Sequence, residues 1–240
     1  MCDVCGCGDP KLVPVEVHEH LLAGNDRTAH HNRAHLRQHG VIAINLMGSP
    51  GAGKTAILEA TARAGCGGWR VAAITGDLET ERDAERLRIA GIAAAAITTG
   101  SACHLDAEMV HHALHDHIAR DVDYLFIENV GNLVCPAIYD LGQEVNVVAL
   151  SVTEGEDKPL KYPTMFRNAD LVLVTKTDLL PALPEFDRRA LGEALARVMP
   201  APQVIDVSAR NGSGISAWIE WIEGLRARQP LASTARVPMH

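Results

Sequence analysis

The chain has 240 residues, of which 47% are hydrophobic and 22% charged, a composition that is ordinary for a folded protein and excludes a wholly disordered chain. The length fits one large domain or two small ones. The 30 Asp and Glu residues outnumber the 22 Lys and Arg residues, and the net charge of −8 argues against a protein that captures nucleic acid by bulk electrostatics.

Hydropathy and the N-terminal residues bear on the compartment of the protein. No apolar run reaches the roughly 20 residues that a transmembrane helix needs, so we expect no membrane insertion. The sequence begins MCDVCGCGDP, without the basic and apolar segments of a signal peptide. We therefore expect a cytoplasmic protein whose cysteines stay reduced.

Composition divides the chain into three regions. Residues 1–40 contain three cysteines and six histidines, and we predict a metal-binding Cys motif followed by a helix over about 26–38. Asn25 or Asp26 would cap this helix and Gly40 would end it. Residues 41–225 are expected to form one domain. Residues 226–240 lack periodicity and are expected to be a flexible C-terminal tail.

The central region alternates short apolar runs with amphipathic segments. Strands that are apolar on both faces and alternate with helices are typical of a parallel sheet covered on both sides. Right-handed crossovers then predict a doubly wound α/β domain with a mostly parallel sheet. The predicted strands lie at about 41–47, 71–77, 93–100, 124–131, 145–152, 171–178 and 202–209.

A glycine-rich segment after the first strand matches the phosphate-binding motif G-x-x-x-x-G-K-S/T without a mismatch. Its backbone N–H groups and the following helix N-terminus would form an anion site. Lys54 would neutralise phosphate charge during catalysis, and Thr55 would bring its hydroxyl to Mg²⁺. The predicted nucleotide-binding residues of this segment are Gly48, Ser49, Pro50, Gly51, Ala52, Gly53, Lys54, Thr55 and Ala56.

Two acidic residues lie at the ends of neighbouring predicted strands. Asp77 ends the second strand and Glu128 lies near the end of the fourth. Either carboxylate could join Thr55 in holding Mg²⁺ through water, and Asp77 could orient the attacking water. Asp77 is therefore the second candidate catalytic residue, with a role as helix cap as the alternative.

Two short segments after the last strands bear on the choice of base. Thr175-Lys176-Thr177-Asp178 is similar to the N-K-x-D signature of GTPases, in which the Asp carboxylate accepts two hydrogen bonds that guanine, but not adenine, can donate. Ser208-Ala209-Arg210 is similar to the companion loop that meets guanine O6. We therefore predict that Lys176, Asp178, Ser208, Ala209 and Arg210 bind GTP, with ATP as the alternative.

Three cysteines lie within six residues at the N-terminus. Cys2, Cys5 and Cys7 could wrap one soft or borderline ion such as Ni(II), Zn(II) or Cu(I). Three ligands make a poor structural zinc site, and a redox C-x-x-C normally opens a helix beside a strand. Metal binding is the interpretation we prefer here, with a redox role as the alternative.

A second set of ligands follows the third and fourth predicted strands. Cys103-His104 and Cys135 lie in loops that emerge at the same sheet edge as the phosphate loop. Two thiolates and one imidazole could therefore converge beside the nucleotide. A two-fold partner could complete this metal site across an interface.

Further histidines occupy the predicted first helix and the helix after the third strand. His111 and His115 are four residues apart on one helical face. We interpret these histidines, and the group between His18 and His39, as polar helix surface, with weak metal capture as the alternative.

Together these segments resemble the HypB family of nickel-incorporation GTPases of NiFe-hydrogenase maturation, within the SIMIBI class of P-loop proteins. The resemblance covers about residues 1–225. It is carried by MCDVCGCG, AHLRQHG, INLMGSPGAGKT, ITGDLETERDAERL, TTGSACHLDAEMVHHAL, LFIENVGNLVCPA, LVTKTDLLP and VSARNGSG.

The resemblance implies a GTPase domain at 41–225, with Asp77 as the switch aspartate. It implies an N-terminal nickel site at Cys2, Cys5 and Cys7. It also implies a nickel or zinc site at Cys103, His104 and Cys135, at the interface of a GTP-dependent homodimer. Some members have a further His where this chain has Glu108.

The implied partners are a HypA-type nickel/zinc protein and the hydrogenase large-subunit precursor, to which Ni(II) is delivered. The alternatives are a GTPase for another nickel enzyme such as urease, a passive nickel or zinc carrier, and a nucleotide kinase. The sequence lacks an Arg-rich lid segment that would favour the kinase.

Overall fold

The structure is a computed structural model that describes residues 15–65, 68–100, 102–116 and 121–228, without the side chains of residues 15–21 and 116. The predicted ligands Cys2, Cys5 and Cys7 lie outside the described residues, as does most of the predicted tail at 226–240.

The described residues form a seven-stranded sheet in which all neighbouring strands are parallel. The strand order is β3-β2-β4-β1-β5-β6-β7, so the chain winds away from β1 in both directions, which confirms the doubly wound α/β prediction. The strands are β1 (Ile42–Gly48), β2 (Val71–Asp77), β3 (Ala93–Thr98), β4 (Tyr124–Glu128), β5 (Val145–Ser151), β6 (Leu171–Thr175) and β7 (Val204–Asp206).

Helices cover both faces of the sheet. Alternate β1 residues point to opposite faces. Ile44 packs in a cluster with the helix residues Ile57 and Trp218, and Ala43 packs in a cluster with the helix residues Leu36 and Val110. Among the described residues, no helix is both long enough and apolar enough to cross a membrane. The helices are α1 (Val15–Gln38), α2 (Lys54–Arg63), α3 (Arg82–Ile89), α4 (Ala107–Asp116), α5 (Lys158–Lys161), α6 (Pro163–Arg167), α7 (Arg188–Val198) and α8 (Ile215–Arg228).

The central strand β1 is buried along its whole length because β4 and β5 pair with its two edges and helices cover its two faces. Its one polar side chain, Asn45, donates to Asn146 Oδ1 at 3.0 Å and accepts from Asn129 Nδ2 at 3.3 Å, so its burial leaves no polar group without a partner. The segment after β1 therefore leaves the sheet at its carboxyl edge, where doubly wound folds bind ligands.

The first helix begins earlier than predicted. Asn25 lies inside α1 and does not cap it. Its side chain instead makes tertiary hydrogen bonds: Oδ1 accepts from Ala107 N at 2.9 Å, and Nδ2 donates to Asp140 O at 2.8 Å. The predicted end is confirmed, since Gly40 has a φ of +67° and the Val41 N–H returns to Leu36 O.

The carboxylate of Asp123, directly before β4, joins β4 to the segment before β2 and to α8, at the sheet edge where the strands begin. Asp123 accepts hydrogen bonds from the backbone and guanidinium of Arg70, which precedes β2, and from Arg226 Nη2 of α8 at 3.0 Å. The Arg70 hydrogen bonds, opposed by desolvation, hold the pKa of the Asp123 carboxyl well below its usual range.

We expect Asp123→Asn to lower the free energy of unfolding by about 1–2 kcal/mol at neutral pH, because charge-assisted hydrogen bonds are lost. A carboxyl with a lowered pKa stabilises above its ordinary pKa near 4, and this contribution is lost as the pH falls below that value. Denaturant unfolding at pH 7 and pH 3 measures the difference.

Asp121→Asn is the matched control, because the exposed Asp121 also pairs with Arg70 and exposed ion pairs contribute little. An Asp123→Asn variant as stable as this control at pH 7, or a difference that grows toward pH 3, contradicts the assignment.

Candidate functional site

The glycine-rich loop joins β1 to α2 and has the backbone conformation that its motif requires. Gly53 caps α2 with a φ of +92°, and a Cβ at Gly48 would overlap the carbonyl oxygen of Ala149. Lys54 is buried, with Nζ 3.3 Å from Gly48 O and 3.4 Å from Ser49 O. Burial lowers the pKa of Lys54, against the opposing charge of Glu128.

Next to Lys54 the structure brings together two of the three predicted magnesium ligands. Thr55 Oγ1 donates to Glu128 Oε1 at 2.7 Å, and the buried Glu128 Oε2 has no hydrogen-bond partner among the described residues. Burial raises the pKa of Glu128 to about 7, against the opposing charge of Lys54. A buried carboxylate oxygen without a partner beside a threonine hydroxyl fits a hard divalent cation such as Mg²⁺.

Asp77 lines the same cavity, which we call the phosphate cavity and which also contains Lys54, Thr55 and Glu128. Its carboxylate accepts from Glu79 N at 3.2 Å and from Thr80 Oγ1 at 3.1 Å, so it organises the turn that leads into α3. Asp77 is thus part of the cavity wall and is also bonded within its own turn.

Three polar side chains of the phosphate cavity were not predicted from the sequence. Asp83 and Arg86 reach it from α3, and Arg86 is held by Glu59 Oε2 of α2 at 2.9 Å. Asn129 reaches it from the end of β4. The many charged residues of α3 are compatible with a cavity lined by Arg86, but they are equally typical of a solvent-exposed helix surface, so the sequence did not indicate this role.

Four of the five predicted base-recognition residues line a neighbouring pocket with Gly53, which we call the base pocket, and the fifth, Ser208, is buried behind it. Ser208 Oγ donates to Asp178 Oδ1 at 2.6 Å and so fixes its carboxylate. Lys176 has a φ of +59°. Among the described residues other than glycine, it alone has a left-handed backbone conformation. Lys176, Asp178, Ala209 and Arg210 all face this pocket.

Thr175 occupies the first position of the base motif and braces the phosphate loop. Its Oγ1 donates to Ala52 O at 2.6 Å, and both groups are buried. The hydroxyl thereby ties the end of β6 to the loop that follows β1.

The predicted ligands Cys103, His104 and Cys135 meet at the same sheet edge. One ligand atom from each lies within 4.8 Å of the others, and the two Sγ atoms are 2.9 Å apart. Burial lowers the pKa of His104, which favours the neutral imidazole that binds metals. Tyr139 was not predicted as part of this cluster, and its ring stacks on His104 with centroids 3.9 Å apart.

A short loop at 129–135, which we call the linking loop, leads from the phosphate cavity to Cys135. Asn129 Oδ1 accepts from Leu105 N at 3.1 Å, directly after His104. A Cβ at Gly131 would lie 2.9 Å from Pro50 of the phosphate loop, and Asn132 forms a β-bridge with Gly48. The linking loop therefore packs on the phosphate loop at one end and carries a thiol at the other.

A phosphate loop, a GTPase-like base motif and a Cys/His/Cys cluster on one edge of a parallel sheet define a P-loop nucleotide-binding protein with a candidate transition-metal site. Residues 42–206 match the family described as "CobW/HypB/UreG, nucleotide-binding domain". The hydrogenase maturation factor HypB of Rhizobium leguminosarum bv. viciae is 48% identical over 230 residues, which cover 96% of this chain and 76% of that protein. The chain belongs to the HypB family of hydrogenase maturation factors.

Two solved structures are also similar. The crystal structure of HypB from Helicobacter pylori in complex with nickel is 39% identical, with a TM-score of 0.80 over 85% of this chain and 95% of that one. FlhF complexed with GMPPNP and Mg²⁺ is 16% identical, with a TM-score of 0.51 over 75% of this chain and 73% of that one. This second likeness concerns the fold alone.

We expect Thr175→Val to weaken binding of a guanine nucleotide roughly fivefold, because the phosphate loop loses a hydrogen bond of about 1 kcal/mol. Titration with a fluorescent guanine nucleotide measures the affinity. Thr177→Val is the matched control, since it leaves the Thr175–Ala52 bond intact. Equal affinities of the two variants would contradict the role of Thr175.

Proposed function

We propose that the chain is a GTP-hydrolysing nickel metallochaperone. It delivers Ni(II) to the NiFe-hydrogenase large-subunit precursor, and GTP-dependent dimerisation is coupled to metal binding. The observation that supports this proposal most strongly is the linking loop, because one short segment contacts both the phosphate loop and the Cys–His cluster.

Nucleotide binding uses the N–H groups of the phosphate loop, the α2 N-terminus and Lys54. Lys54 Nζ contacts the carbonyl oxygens of Gly48 and Ser49, and phosphate oxygens of the nucleotide would replace these weak contacts. Thr55, Asp77 and Glu128 would hold Mg²⁺, which neutralises charge on the phosphate oxygens when it is bound.

Guanine recognition follows from the orientation of Asp178. The hydrogen bond from Ser208 occupies one side of Oδ1 and leaves lone pairs of both carboxylate oxygens for the N1–H and N2–H₂ donors of guanine. Lys176 lies along the same pocket and would cover the base plane.

Hydrolysis would use Asp77 to orient the attacking water and Lys54 to stabilise charge that develops on the phosphate oxygens. Asp77 is already bonded to Glu79 and Thr80, so a shift of its carboxylate toward the nucleotide would move the turn before α3. Because the chemistry depends on positioning and charge, we expect slow intrinsic turnover.

Ni(II) is the cargo of the Cys103/His104/Cys135 cluster, and Zn(II) is an alternative occupant. Thiolate and imidazole donors suit both ions. Cys103 is half-buried, which leaves one side of the cluster open to a second copy of the chain in a GTP-bound homodimer.

Coupling would pass through the linking loop. Closure of the phosphate loop on GTP moves Pro50 and Gly48, against which Gly131 and Asn132 pack. The same loop carries Cys135, so the metal ligands move with the nucleotide. Hydrolysis would then loosen the cluster and release Ni(II). The upstream donor would be a HypA-type nickel/zinc protein, and Cys2, Cys5 and Cys7 would hold Ni(II) tightly before transfer.

We expect Asp178→Asn to weaken GTP binding at least about tenfold and to improve binding of xanthosine triphosphate. An Asn side chain offers a donor where guanine also has one, whereas xanthine has an oxygen there. Competition titrations with both nucleotides measure the ratio. Unchanged preference for GTP would contradict base recognition by Asp178.

The central test is reciprocal linkage. We expect a non-hydrolysable GTP analogue to change the Ni(II) affinity of the weaker, nucleotide-sensitive site at least about threefold, and Ni(II) to change the affinity for the analogue by the same factor. Cys103→Ala should abolish both effects while nucleotide binding persists. Equilibrium titration of the reduced protein in both orders measures the two factors.

Cys66→Ala is the matched control, since Cys66 belongs to neither metal motif, and it should keep both effects. The Cys2→Ala/Cys5→Ala/Cys7→Ala variant should lose tight Ni(II) binding and keep the nucleotide-sensitive site. A Cys103→Ala protein whose nucleotide affinity still responds to Ni(II) would contradict the coupling. Full activity of Lys54→Ala in hydrogenase maturation would favour the passive carrier.

A further inference from the structure

A group of imidazoles outside the Cys–His cluster lies where α1 packs on α4. His31 comes from α1, and His111 and His115 come from successive turns of α4. One ring nitrogen from each lies within 4.8 Å of the others. The ring centroids are 5.2 Å apart for His31 and His111 and 4.5 Å apart for His111 and His115. We call these three residues the His cluster.

A buried asparagine orients the central ring of the His cluster. Asn32 is fully buried, and its Nδ2 donates to Ala107 O at 2.8 Å and to Leu141 O at 3.2 Å. Because both N–H groups of the amide are used, its oxygen points to His111 Nδ1 at 3.0 Å and can only accept there. The proton of a neutral His111 is therefore on Nδ1, and the lone pair is on Nε2.

This arrangement is the one that proteins use to prepare a histidine for metal binding. A ligating imidazole usually donates its other N–H to a carbonyl or carboxylate oxygen, which fixes the tautomer and the ring orientation. Asn32 does this for His111. His31 and His115 are exposed and can rotate toward an ion without a cost in core packing.

We propose that His31, His111 and His115 form a tri-imidazole site for one divalent ion with a preference for nitrogen ligands, of the class of Ni²⁺ and Zn²⁺. Three nitrogen donors suit these ions, and water or the nearby Glu108 carboxylate can complete the coordination. The site goes beyond the proposed delivery function and does not depend on any thiol.

An ion held here would also join two helices that are otherwise joined by packing and by hydrogen bonds from Asn25 and Asn32. Helix α1 leads into β1 and the phosphate loop, and α4 begins three residues after His104. The His cluster therefore connects the N-terminal helix with the segment that carries the Cys–His cluster.

The test uses the full-length, tag-free chain with Cys2, Cys5, Cys7, Cys103 and Cys135 all changed to Ser, so that thiol sites do not contribute. Equilibrium dialysis with Ni²⁺ and, separately, Zn²⁺ measures stoichiometry and affinity. In this background we expect about one equivalent of either ion, with an affinity that falls at least about tenfold in His31→Gln/His115→Gln.

The matched control is His30→Gln/His112→Gln, which removes the neighbouring histidine from each helix and should keep the affinity within about threefold of the parent. Binding of GTP by all variants controls for folding. Because the coupling test of the proposed function uses the intact thiols, failure of one proposal is distinguishable from failure of the other.

A second readout follows the tautomer. In a long-range ¹H–¹⁵N spectrum, His111 should carry its proton on Nδ1 before metal is added. Zn²⁺ should then shift Nε2 of His111 together with one ring nitrogen each of His31 and His115. Equal affinities of the two double variants, a His111 protonated on Nε2, or the absence of a shift at these three residues would overturn the site.

Discussion

In the pairing of β1 with β4, Leu46 lies opposite Glu128, and this register determines the position of the groups in both candidate sites. The phosphate loop begins two residues after Leu46, so the carboxylate at the end of β4 stands beside the first turn of α2. Thr55 reaches it there at 2.7 Å. The linking loop then starts from the same strand and can return along the phosphate loop toward Cys135.

Two charged side chains are buried next to this strand pair. Lys54 and Glu128 are both buried, and burial of a charge is costly unless a partner or ligand compensates it. The shifted pKa values of both side chains reflect that cost, since burial lowers one and raises the other. A phosphate group with its cation would supply opposite charges to both residues. Both shifts therefore agree with a cavity whose charged groups face a ligand that carries charges of both signs.

Sequence reasoning reached the features that depend on local pattern or on one simple topological rule. Apolar runs identified the seven strands. The rule that parallel strands end at one edge of a sheet then predicted that Cys103, His104 and Cys135 lie close together. Long-range contacts gave no such signal. Asn25 was predicted as a helix cap, because nothing in the local sequence indicates that the side chains of Asn25 and Asn32 make hydrogen bonds to α4. The side-chain contact between His31 and His111 is likewise a product of helix packing.

Two asparagine side chains of α1 connect the N-terminal helix to the segments beside the Cys–His cluster. Asn25 binds the N-terminus of α4 and the carbonyl of Asp140, and Asn32 binds Ala107 and Leu141. Ala107 follows Cys103-His104, and Asp140 follows Tyr139, the ring that stacks on His104. One helix thus braces both segments that deliver ligands to the cluster.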